Sequence, residues 1–249
     1  MTLPASRLFS SALLTLGLAL ASCALHANPS VGFKDLFNGH DLTGWDGNKS
    51  FWSVQDGVIT GKTTAEIPLK ANTFLVWKDG TPGNFELRAT FRLTGDNEKK
   101  QANSGIQYRS KLLDPATFVV GGYQADIDSS GKYVGMLYEE KGRGILMAPG
   151  EKIRVTAAAA DAKKPTIEKL AVVTPTADVL AAYKIGDWNE LVIIAEGNHL
   201  RHYLNGKLTA DVTDDDPALA PHDGVLALQL HTGPPMTIQF KNLQLKKLP

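Results

Sequence analysis

Between Phe85 and Leu93 apolar and polar residues alternate without a fault over nine positions, Phe-Glu-Leu-Arg-Ala-Thr-Phe-Arg-Leu. A helix, with 3.6 residues per turn, cannot keep such a repeat on one face, whereas a strand turns successive side chains to opposite faces. The segment predicts a strand with one face in a core and the other in water. Similar short runs recur, parted by turn dipeptides. Asp56-Gly57 folds Phe51 to Gly61 into a hairpin. Leu191 to Ile194, Leu200 to Leu204 and Leu208 to Val212 read as three strands joined at Glu196-Gly197-Asn198 and Asn205-Gly206. Val225 to His231 and Met236 to Leu245 supply two more, and the apolar register of the last shifts between Phe240 and Leu243, which predicts a bulge. Only Thr176 to Lys184 reads as helix, while Thr156 to Thr174 reads as a loop flanking a strand around Leu170 to Val173. Many strands with Gly, Asn and Asp turns predict an all-β antiparallel sandwich with one short helix.

The first residues stand apart from this pattern. Leu8 to Ala21 is almost wholly apolar or small, about a dozen residues long, and therefore shorter than the ~20 a membrane-spanning helix needs. It reads as an export signal. Two cleavage sites compete: Leu25-His26-Ala27 for ordinary signal peptidase, giving a leader over residues 1–27, and Leu20-Ala21-Ser22-Cys23, a lipobox that would leave Cys23 acylated after a leader over 1–22. The expected location is outside the cytoplasm, in the periplasm or at the outer membrane as a lipoprotein tethered through Cys23, and otherwise secreted. A single domain is expected over residues 31–249. Cys23 is the only cysteine, so the mature domain has no disulfide, no thiolate metal ligand and no cysteine nucleophile. The leader holds Arg7 and no acid, which leaves 25 basic against 26 acidic residues and a net charge of −1. No basic excess draws the chain to nucleic acid.

Where, then, could chemistry sit? The outer face of a sandwich sheet can carry polar side chains at alternate positions. Gln107 and Arg109 share one face of Ser104 to Ser110, and Gln124, Asp126 and Asp128 share one face of Gly122 to Ser129. Gln229 and His231 stand opposite Leu226, Leu228 and Leu230 on the next candidate strand. Tyr138 or Glu139 ends a strand from Tyr133, before Glu140 and Arg143 in a Gly-rich loop. Two carboxylates at alternate strand positions lie about 6–7 Å apart and can provide an acid and a base. Each group also has a plainer reading: solvation, an ordinary ion pair for Arg109, a turn cap for Asp128 before Ser129-Ser130-Gly131, or a hinge contact for His231. No Gly-x-Ser-x-Gly elbow, phosphate-binding glycine loop or Glu-x-Asp-x-x-Glu is present, and His199 and His202 fall on opposite faces of one strand.

The ordered motifs resemble the 3-keto-disaccharide hydrolase domain family. They are Phe37-Asn38-Gly39 with Asp41-Leu42-Thr43-Gly44-Trp45, Trp52 to Gly61, Asn84-Phe85-Glu86-Leu87, and Asn103-Ser104-Gly105-Ile106 leading to Tyr108-Arg109. Gly122-Tyr123-Gln124-Ala125-Asp126-Ile127, Gly135 to Glu140, Gly186-Asp187-Trp188-Asn189, Asn205-Gly206 and Leu228 to Gly233 complete the set, which spans Phe33 to Leu248.

The resemblance implies a concanavalin A-like jelly-roll of the lectin and glucanase type. It implies cleavage of 3-keto-glycosides, including 3-keto-disaccharides, made by a partner sugar 3-dehydrogenase. On that basis Asp126 is expected to be the base that removes the hydrogen on carbon 2, with Arg109 and His231 stabilising the enolate or donating a proton. Gln107, Gln124, Tyr138, Glu139, Arg143 and Gln229 are expected to hold substrate. A divalent metal ion between Asp126 and His231 is a cofactor variant for which no third ligand is assigned. Many members of that family carry Glu and Gln where this chain has Gln124 and Asp126, so the carboxylate is displaced by two residues. The rival expectations are a lectin-like module at the cell envelope, with Trp77 or Tyr123 stacking on a sugar, and a tethered structural domain.

Overall fold

Phe85–Gly95 is an eleven-residue strand that buries Phe85, Leu87, Ala89, Phe91 and Leu93 on one side and half-exposes Glu86, Arg88, Thr90, Arg92 and Thr94 on the other. Each fully buried Phe or Leu contributes about 1.5–3 kcal/mol, so a one-residue slip of register would forfeit the whole inward set. The structure is a computed structural model that describes Met1 and residues 31–160, 162 and 164–249. The proposed leader, Arg7 and Cys23 lie outside the described residues.

Two sheets are stacked through this core. The ten-stranded sheet holds β1 (Lys34–Asp35), β3 (Trp52–Gln55), β4 (Val58–Lys62), β6 (Phe85–Gly95), β11 (Glu151–Thr156), β12 (Thr166–Val172), β13 (Asn189–Glu196), β14 (His199–Leu204), β15 (Lys207–Asp214) and β17 (Met236–Lys247). The seven-stranded sheet runs in the order β10 (Gly144–Ile145), β9 (Leu137–Glu140), β8 (Val119–Asp128), β7 (Asn103–Asp114), β16 (Val225–Leu230), β5 (Thr73–Trp77) and β2 (Trp45–Asp46). Helix α1 (Thr176–Ala182) is the one described helix. The architecture is an all-β jelly-roll sandwich, antiparallel except where β11 lies parallel to β15.

Local rules act where the sequence announced them. Asp56 and Gly57 take φ of 51° and 73°, the left-handed pair a two-residue hairpin demands. β17 shifts register between Lys241 and Gln244, with Asn242 at φ 50°. The strand near Leu170 is longer than expected, covering Thr166–Val172.

Polar side chains that enter the core are paired there. Tyr108 donates to His202 Nε2 (2.8 Å), and His202 Nδ1 meets the Gly135 carbonyl (3.1 Å). Burial lowers His202 to about 4 and keeps the ring neutral. Glu139, Arg143, Asp214 and Tyr123 form a second buried cluster between the sheets, joined by Arg143 hydrogen bonds to Glu139 and Asp214 and by the Tyr123 hydroxyl on Asp214. Asp216 lies 3.7 Å from the same guanidinium. Burial works against the Arg143 charge, and hydrogen bonds to Asp214 and Glu139 more than restore it, so its pKa is raised. Glu139 and Arg143 were expected to hold substrate; the structure instead commits them to this internal cluster. Arg143→Ala, by stranding buried carboxylates, is expected to cost about 3–5 kcal/mol, read as a lower urea midpoint; an unchanged midpoint would refute the structural role.

Candidate active site

The seven-stranded sheet turns Ile106, Tyr108, Tyr123, Ala125, Ile127, Leu137 and Leu228 into the core. Alternation sends the intervening residues of the same strands to its outer face, where they line a cavity of ≈ 280 Å³. Asp126 and Gln124 reach it from β8, Asn103 from β7, Tyr138 and Glu140 from β9, and Gln229 with His231 from the end of β16.

Asp126 is 4% exposed and is held by two amides: Gln124 Nε2 donates to one oxygen (2.8 Å) and Asn103 Nδ2 to the other (3.2 Å). A relay stands behind the first amide. Ser110 Oγ donates to Gln107 Oε1 (2.8 Å), and Gln107 Nε2 donates to Gln124 Oε1 (2.8 Å). Turned over, the Gln107 amide would instead donate to the carbonyls of Gly122 (3.2 Å) and Tyr123 (3.0 Å) and to Ser110 Oγ (2.8 Å). Gln124 crosses the strand at Gly105, the register partner of Asp126, where any Cβ would lie 2.4 Å from the Gln124 side chain. Gly105 is therefore a seat for Gln124.

Burial pushes the Asp126 carboxyl up to about 7; the Gln124 and Asn103 hydrogen bonds oppose the rise, and Asp128 and Glu140 add to it. Glu140 accepts from Gln229 Nε2 (3.1 Å) and lies 3.8 Å from Lys141 Nζ. Asn72 bonds Glu140 (3.5 Å) and, through its oxygen, the Thr232 N–H (2.9 Å), tying the acid to the turn that carries His231. His231 Nδ1 rests on the Thr232 carbonyl oxygen, which leaves Nε2 as the nitrogen without a protein partner among the described residues. Burial, then Glu140 and Asp126, raise the Tyr138 pKa, so its hydroxyl keeps its proton and serves as a donor.

Of the residues expected at the site, Asp126, Gln124, Tyr138, Gln229 and His231 meet in one cavity, and Gln107 supports it from beneath. Arg109 does not. β7 is irregular between Tyr108 and Lys111, and Arg109 itself has φ 47°. That bulge breaks the alternation from Gln107 and carries the guanidinium to the carbonyls of Gly83 (2.9 Å), Gly197 (2.5 Å) and Pro221 (3.3 Å) and to Asn84 Oδ1 (3.2 Å). Arg109 is 1% exposed and clamps three loops. Asp128 caps its turn by accepting from Ser130 and the Tyr133 N–H. Trp77 and Tyr123, the expected sugar stackers, are buried in the core. Sequence reasoning passed over Glu140, although its signal was present: it stands two residues beyond Tyr138 and thus on the same strand face.

The donor set does not make a metal cage. Both Asp126 oxygens carry amide donors, and among the described residues no three His, Cys, Asp or Glu side chains converge as ligands. A wider hollow of ≈ 540 Å³ lies on the other sheet, but its Arg92 is spent on Gln239 (2.6 Å) and on the Trp188 ring (4.8 Å).

The fold and cavity define a β-sandwich with an acid and amide site on the outer face of one sheet. The chain belongs to the 3-keto-alpha-glucoside-1,2-lyase-like domain family, whose model matches residues 32–246. Among solved structures, a putative glycosyl hydrolase from Parabacteroides distasonis ATCC 8503 is similar at 20% identity with a TM-score of 0.53, covering 87% of this chain and 99% of its own. The carbohydrate binding module CBM66 from Bacillus subtilis is similar at 14% identity and a TM-score of 0.53, covering 82% of this chain and 96% of its own. These likenesses show the shared fold. No curated protein sequence matches the chain.

The raised carboxyl has a consequence for stability. Folded Asp126 binds its proton up to about 7, against an ordinary 3.8, so native stability falls as pH rises between those values. Above 7 the full penalty of about 4 kcal/mol is present. Asp126→Asn carries no charge, so it is expected to raise the melting temperature over the parent at pH 8 and to lose that advantage by pH 4. Equal melting temperatures at pH 8 would show that Asp126 is not held up by burial.

Proposed function

We propose that the protein cleaves glycosides whose sugar carries a ketone at carbon 3, by elimination and then hydration. The observation that carries this reading is the Asp126 carboxyl in the cavity wall, held up to about 7 by burial and bonded to two neutral amides, with no cationic partner among the described residues. Membership of the 3-keto-alpha-glucoside-1,2-lyase-like family and likeness to a putative glycosyl hydrolase and a carbohydrate binding module support a sugar as the ligand.

The ketone acidifies the hydrogen on carbon 2, so a carboxylate suffices as base. Asp126 takes that proton, the carbon 1–carbon 2 double bond forms, and the bond from carbon 1 to the aglycone oxygen breaks. Tyr138, a protonated donor in the cavity, stabilises the enolate oxygen, Asp126 passes the proton it has taken to the departing oxygen, and His231 Nε2, an acceptor because Nδ1 carries the hydrogen, orients the incoming water. Water then adds across the double bond, so the sum is hydrolysis. Glu140 and Gln229 hold sugar hydroxyls. A sugar 3-dehydrogenase must supply the ketone. The export reading places this chemistry in the periplasm, with Cys23 as the point of tethering.

Incubation with a 3-keto-glucoside is expected to release aglycone, with kcat/KM rising with pH through about 7 as Asp126 ionises. Asp126→Asn is expected to lower kcat by about 10²–10⁴-fold. Binding of the sugar without any release would refute the enzyme reading in favour of a carbohydrate-binding module. An unchanged rate in Asp126→Asn would dismiss Asp126 as the base. Radioactive fatty acid is expected to label the exported protein and not Cys23→Ala; equal labelling would remove the tether.

A further inference from the structure

The cavity does not end at His231. A second hollow of ≈ 420 Å³ adjoins it and shares Asn103, Tyr133 and His231 with the first. Beyond that shared border the chemistry of the wall changes. The first hollow is faced by carboxyl and amide groups, whereas the second is faced by Ala102, Pro234, Met236 and the Tyr133 ring. Of its polar members, Asp128, Ser129, Ser130 and Thr232 are engaged from within, which leaves the exposed Gln101 and, at the shared border, His231 Nε2. Ser130 Oγ donates to Asp128 (2.7 Å), the Tyr133 N–H donates to the same carboxylate (3.1 Å), and Ser129 Oγ accepts from the Ala102 N–H (2.9 Å). Lys132 Nζ lies 4.8 Å from the Tyr133 ring centre and covers one of its faces.

We propose that the second hollow is the leaving-group subsite and that it takes a planar aromatic aglycone in preference to a second sugar. The proposal rests on reading the first hollow as the site of the 3-keto sugar. If the sugar sits over Asp126, the bond to be broken points across the shared border, where His231 stands. A second sugar would bring several hydroxyls to a wall most of whose polar groups are engaged, and each unmatched hydroxyl would forfeit its hydrogen bonds to water. An aromatic ring needs none of these and gains contact with Tyr133, Pro234 and Met236.

The test compares 4-nitrophenyl, methyl and glucosyl leaving groups on one 3-keto-glucose, read as KM. It also measures the dissociation constants of the unoxidised 4-nitrophenyl and methyl glucosides by titration calorimetry. KM and binding are chosen because phenols leave more readily than alkanols, which biases kcat. The aryl compound is expected to bind about tenfold tighter than the methyl compound. Tyr133→Ala is expected to remove about three- to tenfold of that preference, while Tyr133→Phe retains it. Pro234→Asp, at an exposed position of the same wall, is expected to lower the aryl preference through an independent residue should Tyr133→Ala fold poorly. Equal aryl and methyl affinities, or a lower KM for the glucosyl leaving group, would overturn the subsite. Absence of turnover with every leaving group would sink the elimination reading alone, because the calorimetric preference is measured without chemistry.

Discussion

The site depends on one arrangement, a carboxylate taken out of water and suspended between two amides. Asp126 forms no ion pair among the described residues; its stabilisation comes from Gln124 and Asn103. Neutral donors stabilise an anion less than a cation would, so the charge is tolerated without being locked. The sequence arranges this with little freedom to spare. Gln124 must pass over Gly105, which holds only if β7 and β8 keep the register pairing Gly105 with Asp126. That register is in turn fixed by the opposite face, where Ile106, Tyr108, Tyr123 and Ala125 fill the core. Apolar packing on one side of the sheet thus sets hydrogen-bond geometry on the other.

The charges inside the sandwich follow the opposite rule. Arg143 is enclosed by Glu139, Asp214 and the Tyr123 hydroxyl, and the His202 ring is kept neutral between Tyr108 and Gly135. Burial between sheets requires pairing, because an unmatched ion there costs several kcal/mol. Two residues that look equivalent in the sequence, Glu139 and Glu140, therefore do different things. Glu139 faces inward to Arg143, and Glu140 faces outward to Gln229.

What the sequence made legible was whatever a strict period or a fixed turn controls. Phe85 to Leu93, Asp56-Gly57 and the shift after Phe240 each carry their cause within a few residues. Alternation also brought Gln124, Asp126, Gln229 and His231 to one face. The failures share a cause too. Arg109 was assigned by continuing the period from Gln107, yet a bulge in β7 intervenes, and a left-handed Arg leaves no mark in composition. The sequence alone names Tyr138 and Glu139 and leaves Glu140 to the following loop, because strand phase cannot be fixed over so short a run, and one residue reverses every side chain. Trp77 is a candidate sugar stacker only by analogy with lectins of this fold, and an aromatic on a strand reads alike from either face; it lies in β5, all of whose residues are buried.

Three acids lie close together at the cavity, and their surroundings explain why only one suits a base that must both take and surrender a proton. Asp128 is capped by Ser130 and the Tyr133 N–H and serves the turn. Glu140 has Lys141 at 3.8 Å and accepts from two side-chain amides, which commits it to holding Gln229 and Asn72. Asp126 is as buried as Glu140 but lacks the cation, and Asp128 and Glu140 both press on its charge. A base fixed far below the working pH would be too weak to take a proton from carbon, and one fixed far above would never be free to do so. By burying an unpaired acid, with Asp128 and Glu140 beside it adding to the effect, the sheet moves Asp126 into the range where either state is within reach, and it does so with rigid strand positions in place of a mobile loop.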